Sequence, residues 1–172
     1  MQTMENPMRA IRIDKVVINI GVGKSGEPLE KAKKVLQELT GHKPSAREAK
    51  KSVRDFNIHK KEPIGVMVTL RGDDAINTLK RLLAAKNNQI KSSSFDEYGN
   101  VSFGIKEHID IPGIKYNPEI GIFGMDVSIR LARAGYRVRE RRYRRSKIGK
   151  NHMINKEEAI AFFKDMLKTV VI

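Results

Sequence analysis

The sequence predicts an α+β fold: a mainly antiparallel sheet with helices packed on one face, plus a long basic loop near the C-terminus. Three observations point there. Several short β-branched segments alternate apolar and polar residues, so each buries one face, whereas strands of a parallel sheet covered on both faces would read as near-continuous apolar runs. Other segments repeat apolar residues every three or four positions, the period of a half-buried helix. A stretch near the C-terminus is dense in arginine. At 172 residues the chain suits a single domain over 1–172 with a core of ordinary size.

Each element follows from local chemistry. From Ile11 the sequence IRIDKVVINI is β-branched and partly alternating, a strand that ends at the glycines of GVGKSG. Leu29, Ala32, Val35, Leu36 and Leu39 then recur at helical spacing, with Pro28 in the first turn and Gly41 as a stop, which predicts a helix over 29–40. A polar segment, 44–51, leads to VRDFNIHK, where Arg54, Phe56 and Ile58 share one face of a predicted strand. After Pro63, Ile64, Val66, Val68 and Leu70 point one way and Met67, Thr69 and Arg71 the other. Ala75, Ile76, Leu79, Leu82 and Leu83 make a second helical stripe, with Asp73 and Asp74 near its positive end.

Residues 86–94 are polar and irregular, and FDEYGNVSFGI reads as two extended pieces about a Tyr98-Gly99-Asn100 turn. The proline- and glycine-broken stretch HIDIPGIKYNPEIGIFG is expected to be an ordered loop. Met125, Val127, Ile129 and Leu131 alternate with Asp126, Ser128, Arg130 and Ala132 in the cleanest strand pattern of the chain. Asn155 with Glu158 forms a capping box, and Ala159, Ile160, Phe162, Phe163, Met166, Leu167 and Val170 supply the stripe of a last helix. One sheet face stays open in this scheme, and Arg54, Phe56 and Thr69 are expected on it.

The charge selects the partner. Lys and Arg number 34 against 20 Asp and Glu, a formal +14, which favours a polyanion over an acidic small molecule. Cysteine is absent, so disulfides, thiolate nucleophiles and cysteine-ligated zinc are excluded. The N-terminal MQTMENPMRAI lacks the apolar core of a signal peptide and no stretch is apolar enough to span a membrane, so a cytoplasmic protein is expected, with no membrane partner.

Half of the net charge sits in segment 137–150. Arg137, Arg139, Arg141, Arg142, Arg144, Arg145, Lys147 and Lys150 face only Glu140 there, interleaved with Tyr136 and Tyr143. Arginine grips phosphate in bidentate fashion and tyrosine stacks on bases, so the run is read as an RNA contact that becomes ordered on RNA, against the plainer reading of a solubilising loop. A second basic patch, Arg47, Lys50, Lys51, Arg54, Lys60 and Lys61, brackets Phe56, which either stacks on a base or belongs to the core.

The motifs for chemistry are weak. Gly21-Val22-Gly23-Lys24-Ser25-Gly26 fits G-x-G-x-x-G, but the P-loop glycine is replaced by Ile18 and Pro28 puts the helix start too late; a flexible strand-to-helix turn is the better reading. His42, His59, His108 and His152 have no metal-ligand spacing, and Glu107, His108 and Asp110 in an extended segment point to different sides. No enzyme, metal or cofactor is expected. The competing classes are a nucleotide-dependent or RNA-processing enzyme and a general nucleic-acid chaperone.

In chain order, Ile18-Asn19-Ile20-Gly21-Val22-Gly23, Gly41-His42-Lys43-Pro44, Ala49-Lys50-Lys51-Ser52-Val53 with Phe56, Pro63-Ile64-Gly65, Val68-Thr69-Leu70-Arg71-Gly72 and Gly124-Met125-Asp126 resemble the large-subunit ribosomal protein family L-five over most of the chain. That family binds 5S rRNA in the central protuberance. The resemblance implies a structural constituent of the large ribosomal subunit that anchors 5S rRNA to large-subunit rRNA. It puts Asn19, His42, Phe56 and Thr69 in the 5S rRNA contact surface, on the open sheet face, although His42 replaces a glutamine familiar in bacterial members. Lys50, Lys51, Ser52, Val53 and Arg54 would lie in a loop that reaches peptidyl-site tRNA, and 116–122 near a small-subunit head protein at an intersubunit bridge. Bacterial members lack so long an arginine-rich insertion, here at about 132–152, so the chain is similar to the archaeal and eukaryotic branch, and large-subunit rRNA is the partner its charge implies.

Overall fold

The computed structural model describes residues 6–172; the opening stretch 1–5, part of the segment read for a missing leader, lies outside them. The chain runs β1 (Ile11–Gly21), α1 (Glu27–Thr40), β2 (Ser45–Glu48), β3 (Pro63–Leu70), α2 (Gly72–Ala84), β4 (Gln89–Ile90), β5 (Val101–Ile105), β6 (Met125–Arg133), α3 (Arg137–Glu140), α4 (Lys156–Leu167) and β7 (Val170–Val171). Five strands make one sheet in the order β2-β3-β1-β6-β5, every neighbour antiparallel. This is the α+β architecture that the alternating segments predict. Among the described residues, no helix is long and apolar enough to cross a membrane.

Alternation settles which face is covered. Val16, Ile18 and Ile20 of β1, Val66, Val68 and Leu70 of β3, Val101, Phe103 and Ile105 of β5, and Met125, Val127, Ile129 and Leu131 of β6 are buried. They meet Leu29, Ala32, Val35, Leu36 and Leu39 of α1, Ala75, Leu79, Leu82 and Leu83 of α2, and Ala159 and Phe163 of α4 in one continuous core. Phe163 stands edge-on to Phe95, ring centres 5.5 Å apart, which closes the core beneath α4. The helices therefore cover one face and leave the other open.

The termini of the helices follow their sequences. Pro28 sits in the first turn of α1, and Gly41, at φ 70°, ends it with its N–H donated to Gln37 O. The Asn155–Glu158 capping box opens α4. Lys168, at φ 51°, ends that helix, so Val170 leaves it to pair with Gln89 in a small parallel ladder. Met166 and Val170 are consequently exposed, at 65% and 58%, and fall outside the apolar stripe expected of them.

Three further expectations give way. The segment 44–51 holds edge strand β2, whose residues are all exposed; with water on both faces, no apolar alternation is needed to build it. The strand expected over VRDFNIHK is absent. Arg54–Phe56 form a single 3-10 turn closed by Asn57 at φ 53°, and Val53 and Ile58 exchange backbone hydrogen bonds of 2.9 and 3.1 Å across it. Asparagine tolerates that left-handed backbone, so the chain reverses there and Arg54 and Phe56 stand off the sheet. The arginine-rich run, finally, is not one plain loop: it opens with the helical turn α3.

Candidate nucleic-acid interface

The open face is assembled by register. Asn19 pairs with Met67 on one side and Asp126 on the other, and Met67 pairs in turn with Ser45. One row along, Val17 lies between Thr69 and Ser128, and the Ser102 hydroxyl donates to Ser128 Oγ at 3.3 Å. A third row sets Lys15 beside Arg130. The centre is thus a surface of mostly polar side chains. Its members in β6 were already marked by alternation, whereas Lys15 and Ser102 were visible only once the register was known.

Cations gather at both ends. β3 enters the sheet with Gly65 opposite Gly21, so the β2–β3 connection projects beyond that end of β1; β6 leaves with Arg133 opposite Ile11, so segment 137–150 emerges at the other. The 11 residues of β1 separate the two by roughly 35 Å.

The β2–β3 connection is an ordered hairpin extension. Ala49 N–H donates to Glu62 O at 2.8 Å and Lys61 N–H to Ala49 O at 2.9 Å, pinning its base, while Lys60 N–H donates to Ser52 Oγ at 2.9 Å. Lys50, Lys51, Val53 and Arg54 are exposed along it. Phe56 at the tip is 72% exposed, which removes it from the core. At the base, the His59 backbone N–H and then the Ser25 hydroxyl hold the Glu62 carboxyl below its ordinary range, so it stays ionised among lysines.

At the opposite end an ion network ties the arginine run to the open face. A register shift between Ile13 and Lys15 turns out Asp14, whose carboxylate meets Arg71 Nη1 at 3.0 Å and Arg130 Nε at 3.8 Å. Arg130 also pairs with Glu140, the acidic residue of the run. Arg137, Arg139, Arg141, Arg142, Arg144, Arg145, Lys147 and Lys150 are all exposed beyond it.

The structure brings Asn19 and Thr69 together on the open face and sets Phe56 and the Lys50–Arg54 residues on the hairpin. His42 goes elsewhere: its Nε2 lies 3.2 Å from Asp74 in the first turn of α2, on the helical layer and away from the open face. Residues of the 116–122 stretch line shallow clefts beside Glu38 of α1, likewise off that face.

The remaining motifs have no catalytic geometry. Val22 and Gly23 both donate their backbone N–H to Ile64 O, at 3.0 and 2.8 Å, so these two amides are turned to the protein's own chain. His108 is buried, with Nδ1 accepting from Phe123 N–H at 3.3 Å, while Glu107 and Asp110 are exposed. Among the described residues no group of His, Asp and Glu is arranged to hold a metal ion.

Residues 6–59 match the family described as ribosomal protein L5, and residues 63–162 match the model of that ribosomal family's C-terminus. The chain is 61% identical over 162 residues to the large ribosomal subunit protein uL5 of Pyrobaculum aerophilum, covering 94% of this chain and 90% of that one. It is 54% identical to the protein of the same name from Nitrosopumilus maritimus, covering 92% and 91%, and 55% identical to that of Sulfurisphaera tokodaii, covering 97% and 95%. Strands from the two matched segments share one sheet, β1 of the first lying between β3 and β6 of the second.

Proposed function

The chain belongs to the ribosomal protein L5 family, in its archaeal form, and we propose that it anchors 5S rRNA in the large ribosomal subunit. It is a structural, non-enzymatic constituent of that subunit in the cytoplasmic ribosome, where it associates with rRNA. The finer reading concerns the surfaces. The whole of 1–172 acts as one 5S rRNA-binding unit: Asn19 and Thr69 on the open face contact 5S rRNA, joined by Phe56 at the hairpin tip and by His42 from the helical layer. Lys50, Lys51, Ser52, Val53 and Arg54 on the hairpin contact peptidyl-site tRNA. Arg137, Arg139, Arg141, Arg142, Arg144, Arg145, Lys147 and Lys150, in the insertion at about 132–152, grip large-subunit rRNA, and 116–122 meets a small-subunit head protein.

What carries this reading is an open polar sheet face flanked at both ends by cations, a surface that can seat an RNA groove and hold its phosphates on either side. Thr69 is exposed on that face, and Thr69→Glu sets a negative charge against the RNA backbone. The variant should bind 5S rRNA at least tenfold more weakly in a filter-binding titration while keeping the wild-type melting temperature. If 6–10 phosphates are neutralised, wild-type affinity falls by about 10³–10⁵ between 50 and 200 mM salt. Unaltered 5S binding by Thr69→Glu, equal affinity for unrelated RNA, or indifference to salt would each overturn the proposal.

A further inference from the structure

The arginine run folds back on itself. Ser146 N–H donates to Val138 O at 3.2 Å, which lays the second half of the run beside α3. Arg141 Nε closes the intervening bend by donating to Arg144 O at 2.8 Å, and Arg144 stacks over Tyr143 with its guanidinium carbon 5.5 Å from the ring centre. Between the two halves opens a pocket lined by Arg139, Arg145, Lys147 and Lys150 together with Ile148 and Met153. Ile148 and Met153 are half-buried, and no carboxylate lines the pocket.

The wall that carries Met153 is fixed to the body of the protein. Tyr136 Oη accepts from Ile154 N–H at 2.8 Å, His152 Nε2 lies 2.8 Å from Ala134 O, and the carbonyls of His152 and Met153 both face Arg133 Nη1 at 3.4 Å. The pocket is thus built on a rigid base, with the basic strand folded over it.

Apolar walls under a cationic rim select a ligand with a flat apolar body joined to an anion. Duplex RNA offers the anion alone, because its bases are stacked and paired; an unpaired nucleotide offers both. We propose that this pocket holds a single unpaired nucleotide of the RNA, its base against Ile148 and Met153 and its phosphate among Arg139, Arg145, Lys147 and Lys150. The inference rests on reading the run as an rRNA contact, and it adds that the run distinguishes single-stranded from paired RNA.

The test uses the full-length protein with three probes of equal length: a single-stranded RNA, the same strand made abasic, and a duplex. Ile148→Ala and Met153→Ala, assayed separately, should each weaken binding to the intact single strand roughly five- to tenfold. Both should leave abasic and duplex affinities within a factor of two and the salt slope unchanged. Lys147→Ala should reduce the salt slope on all three probes, by about 0.7 on the single strand. Loss of affinity by the apolar variants on intact and abasic strands alike, or on neither, overturns the pocket. That outcome leaves the rRNA reading of the run standing as long as Lys147→Ala still lowers the slope; a slope indifferent to Lys147 removes both.

Discussion

Arg133 and Glu158 join the end of the sheet to the last helix through a shared carboxylate. Arg133 Nη2 donates to Glu158 Oε1 at 2.8 Å, while Oε2 accepts from Asn155 N–H at 3.1 Å in the capping box, so one side chain both starts α4 and neutralises a buried cation. Arg133 is only 6% exposed and spends its other donors on the carbonyls of Arg9, His152 and Met153. Although it borders the arginine-rich run, it is an internal brace.

Removing either partner should therefore cost more than a surface ion pair would. Arg133→Ala takes away the guanidinium donors of three carbonyls and a carboxylate, of which, among the described residues, only His152 O and Glu158 keep a second donor, from Tyr136 Oη and Asn155 N–H, and should lower unfolding stability by about 3 kcal/mol in a denaturant titration. Arg137→Ala, four residues on and exposed, should change it by less than about 0.5 kcal/mol.

Glu158 makes part of that stability dependent on pH. Burial alone would raise its pKa, but the Arg133 hydrogen bond and then the Asn155 backbone N–H outweigh it, so the carboxyl lies below its ordinary 4.5. A carboxylate depressed on folding stabilises above the unfolded pKa, and its contribution fades as pH falls through the folded one. The stability difference between wild type and Glu158→Gln should be complete at neutral pH and shrink in acid, below about 4.5, when unfolding is followed by circular dichroism.

His108 titrates in the other window. Burial pushes its pKa below 6.5, and Nδ1 needs its lone pair to accept from Phe123 N–H. The unfolded chain then binds the proton first, so stability is complete above 6.5 and is lost as pH falls from there toward the folded value. His108→Gln, which retains an acceptor, should flatten this part of the profile.

Gly99 has no room for a side chain. Its φ is 76°, and a Cβ there would lie 2.6 Å from Ile154 Cγ2 and 3.5 Å from Ala159 Cβ, against the start of α4. Left-handed strain of about 1–2 kcal/mol and overpacking of about 1–3 kcal/mol should combine in Gly99→Ala, lowering the melting temperature markedly.

Phe56 should behave in the opposite way. At 72% exposure, Phe56→Ala should leave the melting temperature within a degree or so, where a core phenylalanine would cost about 3–5 kcal/mol. If a base stacks on the ring, RNA affinity should fall by about 1–3 kcal/mol, read by titration with 5S rRNA.

How far the sequence could be read depended on burial. The strand Met125–Arg133 and helices α1, α2 and α4 were legible because each buries one side, and burial stamps a period of two or of about 3.6 on the residues. β2, wet on both faces, left no such trace, and the alternation of Arg54, Phe56 and Ile58 in the exposed hairpin beyond it marked no strand; their form comes from backbone pairing with β3 and from the reversal at Asn57. The resemblance puts His42 on the open face with Asn19 and Thr69, whereas the end of α1 delivers it to Asp74.

By itself, the sequence determined the α+β class, the covered and open faces of the central strands, the positive charge and the family. Tertiary structure alone decided that Arg133 is a buried brace while its neighbours in the run are exposed, since identical guanidinium groups differ only in the carbonyls and carboxylate that the fold brings within reach. It also decided that the two basic segments lie at opposite ends of one polar face, because strand register, a contact between residues distant in sequence, is what sets them there.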